Sequence, residues 1–367
     1  MSFLSKSLLS VAVALVSLFL LFWKLGDAPL RNWDEARYGQ NAYEMLENGD
    51  YFNYYYLGKL DLWNAKPPLM IWSIALSSKA FGFNEFSLRL PSALSGVVAL
   101  LFIYLIARLF GSHLLGLMAV LTAATSRALI SDHVTRTGDM DAMLIAALSI
   151  FTYGSLCYFL KNRSPLNPLQ ALLVTALGLG MAFYVKGFAI LLWLSGWGLW
   201  VLWKERWVFK KGLTYAATLV FLTFPASWVG LNSLYGASDP DKTYKAETMI
   251  GVMLVYDIWG RFMGQKGVEP PPPEPSFLLR GFDLRFSPWF YVVLLSSLLL
   301  LVPMIRKRAW ASTGSKLFAS PEIQRYALQF SLVMIIPFAL LVQMTAHKAN
   351  WYLAPLVIAP PSGVEPD

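Results

Sequence analysis

The 367-residue sequence is poor in cysteine and in charge, and it lacks the common nucleotide-binding patterns. Its single cysteine, Cys157, excludes disulfides within the chain and metal centres built from several cysteines. Charged residues make up only 14% of the chain, far below their share in an average soluble domain. We find no P-loop, dinucleotide fingerprint, zinc-protease motif, nucleophile elbow or internal repeat. The motifs of the common soluble enzyme classes are therefore absent.

Apolar residues dominate the chain instead, since hydrophobic residues make up 56% of it and aromatic residues 15%. A helix needs about 20 mainly apolar residues to cross a bilayer, and about nine such runs follow one another, with a partial tenth at the chain end. The sequence therefore predicts an all-α polytopic membrane protein. The runs span residues 8–24, 88–110, 114–131, 141–160, 169–185, 188–203, 213–231, 287–305 and 326–345, and the partial run is 351–360.

Among the short connections between these runs, the basic residues concentrate in alternate ones. Because Lys and Arg are retained on the cytoplasmic side, the N-terminus, with Lys6, is predicted to be cytoplasmic and the segment around Asp34 extracytoplasmic. The first run could instead be a cleaved signal peptide. No small-x-small cleavage site follows it, and the inside–outside alternation of the later connections requires this first run to span the membrane. We therefore predict an uncleaved anchor. The same distribution accounts for the net charge of +8 without a nucleic-acid partner.

Two of the predicted outer connections are long, 26–87 and 232–286. The first is expected to contain two short helices, 33–47 and 67–81, separated by "NGDYFNYYYLGKLDLWNAK". The second contains "VEPPPPEP", a stiff extended spacer without backbone donors along its prolines. The sequence thus predicts a single membrane domain with one small outer layer.

Adjacent carboxylates, Asp34 and Glu35, follow the first apolar run. Asn32 and Glu35 have the spacing of a capping box, which would explain Glu35 structurally, and Asp34 could merely complement the helix dipole. Helical spacing also places Asp34, Arg37 and Tyr38 on one face. An acid, a guanidinium and a phenol on one face can serve anion and hydroxyl chemistry.

Lys66 occupies an unusual position in "WNAKPPLMIW". Pro67 suits the first position of a helix, which leaves Lys66 at the positive end of the helix dipole, where a cation is disfavoured. The placement is favourable if an anion binds there, because helix N-terminal amides and a lysine form a phosphate site. A lysine that extends its charge to the membrane interface is the structural alternative.

The segment "HVTRTGDMDAML" places Asp139 and Asp141 at the start of the fourth run. They could merely cap the helix, but carboxylates at the lip of a spanning helix are costly and count as functional candidates. Lys186 and Lys348 belong to the same outer level and could also be interfacial anchors. Asp139, Asp141 and His133 could contact a divalent ion, yet no ligand spacing requires one. We therefore expect no essential metal and no other cofactor.

An ordered set of motifs resembles one family of membrane enzymes. The motifs are "WDEARYGQNAYEML" followed by "GDYF", then "KPPLMIW", "FSLRLPSALSG", "RTGDMDAML", "YVKGFAILL" and "HKANWYLAPL". They resemble the bacterial dolichyl-phosphate-mannose protein mannosyltransferase and aminoarabinose lipid A transferase group, which has the GT-C membrane glycosyltransferase fold. The resemblance covers nearly the whole chain.

This resemblance implies transfer of a sugar from a polyprenyl-phosphate carrier to a lipid, glycan or protein acceptor at the extracytoplasmic face of the plasma membrane. By resemblance, Asp34 matches the catalytic acid of the first loop, and Asp141 matches the second acid, with Asp139 as the alternative. Arg37 and Lys66 match residues near the carrier phosphate. The predicted substrate-binding residues are Arg37, Tyr38, Lys66, Lys186, His347 and Lys348, and we expect Asp34, Arg37, Lys66 and Asp139 or Asp141 to line one cavity.

Family members usually continue through further spans and often a C-terminal extracytoplasmic domain, whereas this sequence stops at "YLAPLVIAPPSGVEPD". We therefore expect the C-terminal part of the family fold to be missing. The alternative function is a transporter or flippase of a lipid-linked saccharide. A transporter should carry ionisable residues near mid-membrane in broken helices, whereas those of this sequence lie mainly at the predicted outer ends.

Overall fold

The computed structural model describes residues 3–131, 133–238, 248–254, 275–292, 295, 317–345 and 350–358. Regular structure in these residues is almost entirely helical, apart from a two-stranded antiparallel hairpin of β1 (Tyr55–Tyr56) and β2 (Lys59–Leu60). The α-helices are α1 (Phe3–Phe22), α2 (Asp34–Asn48), α3 (Leu69–Phe81), α4 (Glu85–Phe110), α5 (His113–Thr125), α6 (Arg127–Ile130), α7 (Asp141–Phe159), α8 (Pro168–Lys186), α9 (Ile190–Lys204), α10 (Gly212–Tyr235), α11 (Met249–Val252), α12 (Phe277–Phe286) and α13 (Pro321–Met344). The 3-10 helices are Lys161–Arg163, Gly187–Ala189, Arg206–Lys210 and Asn350–Ile358.

Five helical stretches among the described residues are long and apolar enough to cross a membrane. They are α4, α7, the continuous stretch Pro168–Lys204, α10 and α13. The stretch Lys6–Phe22 of α1 and the helices α3 and α5 are apolar but shorter than 18 residues. The predicted class, an all-α polytopic membrane protein, is confirmed. The count of nine spans stays a prediction, because most of the 287–305 run and the "VEPPPPEP" spacer lie outside the described residues.

Several helix starts follow directly from local sequence. Asn84 caps α4 in a capping box with Ser87, since each side chain accepts from the other's backbone amide. Asn167 and Gln170 form the same box at α8, with proline at the first turn. Local polar side chains therefore fix where these spanning helices begin.

Two predicted spans have a different form in the structure. The 114–131 run is interrupted at Ser126, whose extended backbone ends α5 and whose side chain caps α6 at the amide of Ala128. The 350–358 segment is a 3-10 helix. Local capping at Ser126 thus overrides a continuous apolar pattern.

Helix α7 forms the centre of the bundle, with nearly every residue from Asp141 to Tyr158 buried. It packs along α4 and α8. The approach to α8 is close because of Gly178, where an added Cβ would lie 2.4 Å from the backbone nitrogen of Phe151. Asp141, the first residue of α7, is therefore buried where the chain enters this central helix.

The connections separate into two ends of the bundle. We call the end formed by residues 23–84, 131–140 and 186–189 the site end. Arg136 joins two of its segments by donating to the carbonyls of Leu20 and Trp23 at 2.9 and 2.8 Å. We call the end formed by 111–112, 160–167 and 205–211 the basic end. Its described cations, with those at the adjoining helix termini, are Lys6, Arg108, Lys161, Arg163, Lys204, Arg206, Lys210, Lys211 and Arg325.

Candidate active site

The capping box predicted at the start of α2 is wrong. The residue before the helix is Trp33, with φ 74° and ψ −118°, and no side chain caps the helix. Glu35 turns inward and is 2% exposed. Its Oε1 accepts from Arg89 Nε at 2.7 Å and from the Gly138 amide at 2.8 Å. Its Oε2 accepts from Arg89 Nη2 at 3.0 Å and from the Arg31 amide at 2.8 Å.

A buried arginine explains this arrangement. Arg89 is 2% exposed, and an unpaired charge at such a site would be strongly destabilising. Burial raises the pKa of the Glu35 carboxyl, but hydrogen bonds from Arg89 and from backbone amides outweigh it and hold the pKa below its ordinary value of 4.5. Arg89 also donates to the carbonyls of Leu25, Ala28 and Pro29. This ion pair therefore fixes the chain on both sides of Asp34.

Asp34 lies beside two residues of the 131–140 segment. Asp34, His133 and Asp139 each offer an oxygen or nitrogen atom, and these atoms lie within 4.8 Å of one another. His133 Nδ1 is 3.6 Å from Asp139 Oδ2, and Ser92 Oγ donates to the Asp139 carbonyl at 2.9 Å. We call these three side chains the acid–histidine cluster. It can share a proton, and its donor set also suits a divalent cation.

Burial dominates the protonation of Asp139. It raises the pKa of this carboxyl, the nearby Asp34 charge adds to the rise, and His133 and Thr137 offset part of it. Burial lowers the pKa of His133, but the interaction with Asp139 and the charges of Asp34 and Asp141 reverse the effect, so its pKa is raised. Both groups are thereby disposed to hold a proton next to Asp34.

Asp141, two residues after Asp139 of the acid–histidine cluster, lines a cavity of about 210 Å³. Lys186 Nζ donates to Asp141 Oδ1 at 2.5 Å. Lys66, which is 8% exposed, also lines the cavity. The charged lining thus comprises two lysines and one carboxylate, and the remaining walls are mainly apolar. These walls include Leu144, Leu148, Phe188, Leu191, Leu192, Met253, Phe338, Leu341, Tyr352 and Pro355.

The backbone around Lys66 differs slightly from the predicted one. Helix α3 begins at Leu69 with Pro68 before it, so Pro67 is not its first residue. The Tyr54 hydroxyl donates to the Lys66 carbonyl at 3.0 Å and fixes this backbone. The Lys66 ammonium lies 5.3 Å from the Trp63 ring centroid and 5.9 Å from that of Tyr38. Aromatic faces therefore position the lysine at the cavity.

Gly187 brings Lys186 to the same place. Its φ of +53° is rarely adopted by L residues, and it breaks the helix between α8 and α9. A Cβ added there would lie 3.0 Å from Met253 Sδ and 3.5 Å from Pro67 Cδ. The turn therefore packs against the first connection next to Lys66.

Arg37 has a partner that the sequence analysis missed. Its Nε and Nη2 donate to the two Asp61 carboxylate oxygens at 2.8 and 2.5 Å. Its guanidinium lies 4.7 Å from the Tyr56 ring centroid and 4.4 Å from that of Trp63. Asn41 adds a third donor to Asp61 at 3.0 Å. An aspartate in the aromatic stretch "KLDLW" was a visible signal, but its pairing with Arg37 depends on the β hairpin.

The structure separates the predicted residues into two neighbouring groups. The cavity lining includes Lys66, Asp141 and Lys186 but neither Asp34 nor Arg37, so the expectation of one cavity lined by all of them is met only in part. His133 interacts electrostatically with both Asp34 and Asp141 and thus links the groups. Tyr38 is buried with its ring facing Lys66, while His347 and Lys348 lie outside the described residues.

The fold and the site together define a polytopic membrane protein with a charged, apolar-walled cavity at one end of its bundle. A family profile described as dolichyl-phosphate-mannose-protein mannosyltransferase matches residues 65–229. An undecaprenyl phosphate-alpha-4-amino-4-deoxy-L-arabinose arabinosyl transferase of Pseudomonas fluorescens is 28% identical over 233 residues, which are 62% of this chain and 41% of that protein. A second transferase of this description from another strain of that species is 33% identical over 44% of this chain and 27% of its own length.

The crystal structure of ArnT from Cupriavidus metallidurans bound to undecaprenyl phosphate has the same fold. It superposes with a TM-score of 0.68 at 20% identity, over 95% of this chain and 58% of that one. The chain therefore has the GT-C membrane fold, as its ordered motifs indicated. It spans less than two thirds of the length of the relatives that it matches.

Proposed function

We propose that this chain is a membrane glycosyltransferase, or the catalytic part of one, that transfers a sugar from a polyprenyl-phosphate donor to an acceptor. One observation carries the proposal: Lys66, Lys186 and Asp141 lie at an otherwise apolar cavity. A donor with an anionic phosphate and a long hydrocarbon chain fits that combination of charge and wall. The relatives named for undecaprenyl phosphate transfer support the same donor class.

In this proposal the donor phosphate takes the place of Asp141 as partner of Lys186. A lysine ammonium is a compact charge with three rotatable donors, so it can turn from a carboxylate to a phosphate. Lys66 supplies the second cation. Both stabilise the negative charge that builds up on the leaving phosphate, in a site whose walls exclude water.

The acid–histidine cluster supplies the base. For a hydroxyl acceptor, the acceptor oxygen forms a bond to the anomeric carbon while the bond from that carbon to the phosphate oxygen breaks. The electron pair stays on the polyprenyl phosphate, and the hydroxyl proton passes to the Asp34 carboxylate. His133 and Asp139 lie within 4.8 Å of Asp34 by their donor atoms, so they can relieve it of the proton.

We keep the expectation that the reaction requires no protein-bound metal, because two lysines already supply the positive charge at the cavity. The acid–histidine cluster makes this expectation testable, since its donor set suits a divalent cation. Transfer should persist after chelation with EDTA. A loss of transfer that Mg²⁺ or Mn²⁺ restores would contradict it.

We further propose that the site end faces the extracytoplasmic side of the plasma membrane, because the basic connections lie at the opposite end. The single cysteine, Cys157, is buried and can be replaced by serine. A Lys59→Cys variant at the site end and a Lys210→Cys variant at the basic end then report sidedness. In intact cells an impermeant maleimide should label the first and spare the second. The reverse pattern would invert the topology.

A deletion strain tests the function itself. If the proposal is correct, cells without the gene accumulate an undischarged polyprenyl-phosphate sugar, which mass spectrometry of the lipid fraction identifies. Purified chain in proteoliposomes should release polyprenyl phosphate from that lipid in the presence of membrane acceptors. Movement of the intact lipid between leaflets, with its sugar still attached, would instead favour the transporter. In the described spanning helices, charged residues lie near helix ends, which supports the transferase.

A further inference from the structure

A second cavity of about 190 Å³ lies near the basic end, on the side of α7 that faces α8 and α10. Its walls are mainly apolar and aromatic. Helix α10 closes one side, and only 11% of its most apolar stretch is buried. The wall residues used below are Ser155, Tyr158, Trp197, Val208 and Ala217.

Two buried polar groups in this cavity have no hydrogen-bond partner among the described residues: Ser155 Oγ and Trp197 Nε1. Ser155 is 2% exposed. Each such group left unsatisfied costs about 1–3 kcal/mol. Both can donate a hydrogen bond, so the missing occupant is expected to carry an acceptor as well as an apolar body.

The depth of these groups matches a lipid that enters from the basic end. Ser155 lies four residues before the end of α7, and Trp197 lies seven residues before the end of α9. At a rise of 1.5 Å per residue these depths are about 6 Å and about 10 Å. The polar interface of a bilayer is several ångströms thick, so a lipid whose headgroup lies at this end can place its ester carbonyls at these depths.

Cations surround the cavity at this end. Lys161 Nζ lies 3.9 Å from the Trp207 ring centroid, and that ring packs on Tyr158 of the cavity wall. Lys211 donates its backbone amide to Val208, another wall residue, at 3.1 Å. The nearby carboxylate of Glu205 is engaged by Trp207 Nε1 at 2.6 Å and by the Tyr326 hydroxyl at 2.8 Å. Two lysines therefore belong to the segments that border the cavity at the basic end.

We propose that this cavity binds an anionic glycerophospholipid of the membrane leaflet at the basic end. One acyl chain fills the apolar space, an ester carbonyl accepts from Trp197 and Ser155, and the phosphate lies near Lys161 and Lys211. A polyprenyl tail is a worse occupant, because pure hydrocarbon leaves both buried donors unsatisfied. The bound lipid ties α10 to the rest of the bundle. This site is distinct from the donor cavity and independent of the proposed reaction.

Native mass spectrometry of the purified full chain in detergent tests the proposal, with dioleoyl phosphatidylglycerol and dioleoyl phosphatidylcholine as the added lipids. The anionic lipid should bind about thirtyfold more tightly, since each of the two lysines contributes about 1 kcal/mol near an anionic lipid. Lys211→Gln should weaken phosphatidylglycerol binding about fivefold. The matched change Lys59→Gln, at an exposed position of the site end, should leave it unchanged.

Two variants probe the cavity itself. Ala217→Phe fills it from α10 and should reduce phosphatidylglycerol affinity at least tenfold, whereas Leu219→Phe on the exposed face of the same helix, at a residue 66% exposed, should not. Trp197→Phe keeps an aromatic ring but removes the N–H donor, and should weaken binding about threefold to tenfold. This variant stays decisive if Ala217→Phe misfolds.

The proposal is overturned if phosphatidylcholine binds as tightly as phosphatidylglycerol. It is also overturned if Trp197→Phe, folded as judged by its thermal unfolding, retains wild-type affinity. Displacement of the phospholipid by uncharged polyprenol at equal concentration would assign the cavity to a prenyl chain instead.

Discussion

Two buried ion pairs at the site end differ in how fully their carboxylates are satisfied. Glu35 accepts four hydrogen bonds, two from Arg89 and two from backbone amides, and the side chains of this pair are 1% and 3% exposed. Asp141 is held by Lys186 at 2.5 Å, and both residues line a cavity. The first pair is sealed within the fold, and the second faces space that a ligand can enter.

The difference lies in the cation as well as in the burial. Arg89 presents a rigid fork that matches one carboxylate in two places, and it also holds the carbonyls of the first connection. Lys186 holds a point charge on a flexible stem that can change partner. The two buried carboxylates therefore have different surroundings: Glu35 holds the backbone around Asp34, and Asp141 faces the cavity, where our proposal has it exchange its lysine with the donor phosphate.

The largest expected effect is on stability. Glu35→Gln leaves Arg89 buried without a counter-charge, so we expect a loss of about 3–5 kcal/mol in the free energy of unfolding. Thermal and denaturant unfolding of the purified protein in detergent measure it. Glu47→Gln, at an exposed position of the same helix, is the matched control. An unfolding midpoint that stays at the wild-type value would show that the pair contributes little.

The next effect separates Asp34 from Glu35 in activity. Asp34→Asn keeps the size of the side chain and removes the base, so transfer should fall about a hundredfold or more with the unfolding midpoint preserved. Asp27→Asn, at an exposed residue with a side chain 61% accessible, should transfer normally. Turnover of the polyprenyl-phosphate sugar in proteoliposomes is the measurement. Normal transfer by Asp34→Asn would remove the residue from the base role.

Lys66→Met should weaken donor binding, because the cavity loses one of its two cations. The expected cost is about 1.5–3 kcal/mol, which is about a 10- to 150-fold rise in the dissociation constant for polyprenyl phosphate. Lys59→Met, on the exposed hairpin, is the control. Equal affinities in both variants would place the phosphate elsewhere.

The smallest effect is a dependence of stability on pH. Because the folded pKa of Glu35 is held below its ordinary value of 4.5, its contribution is present above that value and is lost as the pH falls through the folded pKa. Unfolding midpoints measured from pH 6 downward should fall more steeply in the wild type than in Glu35→Gln. Parallel curves would mean that Glu35 has the same pKa in the folded and unfolded chains.

Local sequence predicted the elements near the site well. The structure contains a helix at Asp34–Asn48 for the predicted 33–47, and one at Leu69–Phe81 for the predicted 67–81. The amphipathic or apolar periodicity that predicts a helix depends only on residues within a few turns of one another, so the folded chain keeps the helices that it predicts. The resemblance also selected Lys66 and Asp141, which line one cavity, although their roles stay predictions.

Partners of charged groups were predicted poorly. The capping-box interpretation paired Glu35 with Asn32, three positions away. In the structure, the cation that pairs with Glu35 is Arg89, 54 positions further along the chain. Arg37 was assigned to a phosphate, whereas the structure pairs it with Asp61. His133 was predicted only as a contact for a divalent ion, and the fold places it where the charges of Asp139, Asp34 and Asp141 act on it.

By itself, the sequence determined that the chain lies in a membrane and where many of its helices begin. Long apolar runs can satisfy their backbone in lipid only as helices, and capping pairs such as Asn84 with Ser87 act through neighbours in sequence. The tertiary structure alone decided which carboxylate is sealed and which is open. That choice depends on the packing of α7 against α4 and α8 and on the turn at Gly187. Packing sets which distant charges meet and which of them stay accessible to a ligand, because burial makes an unpaired charge costly wherever the chain places it.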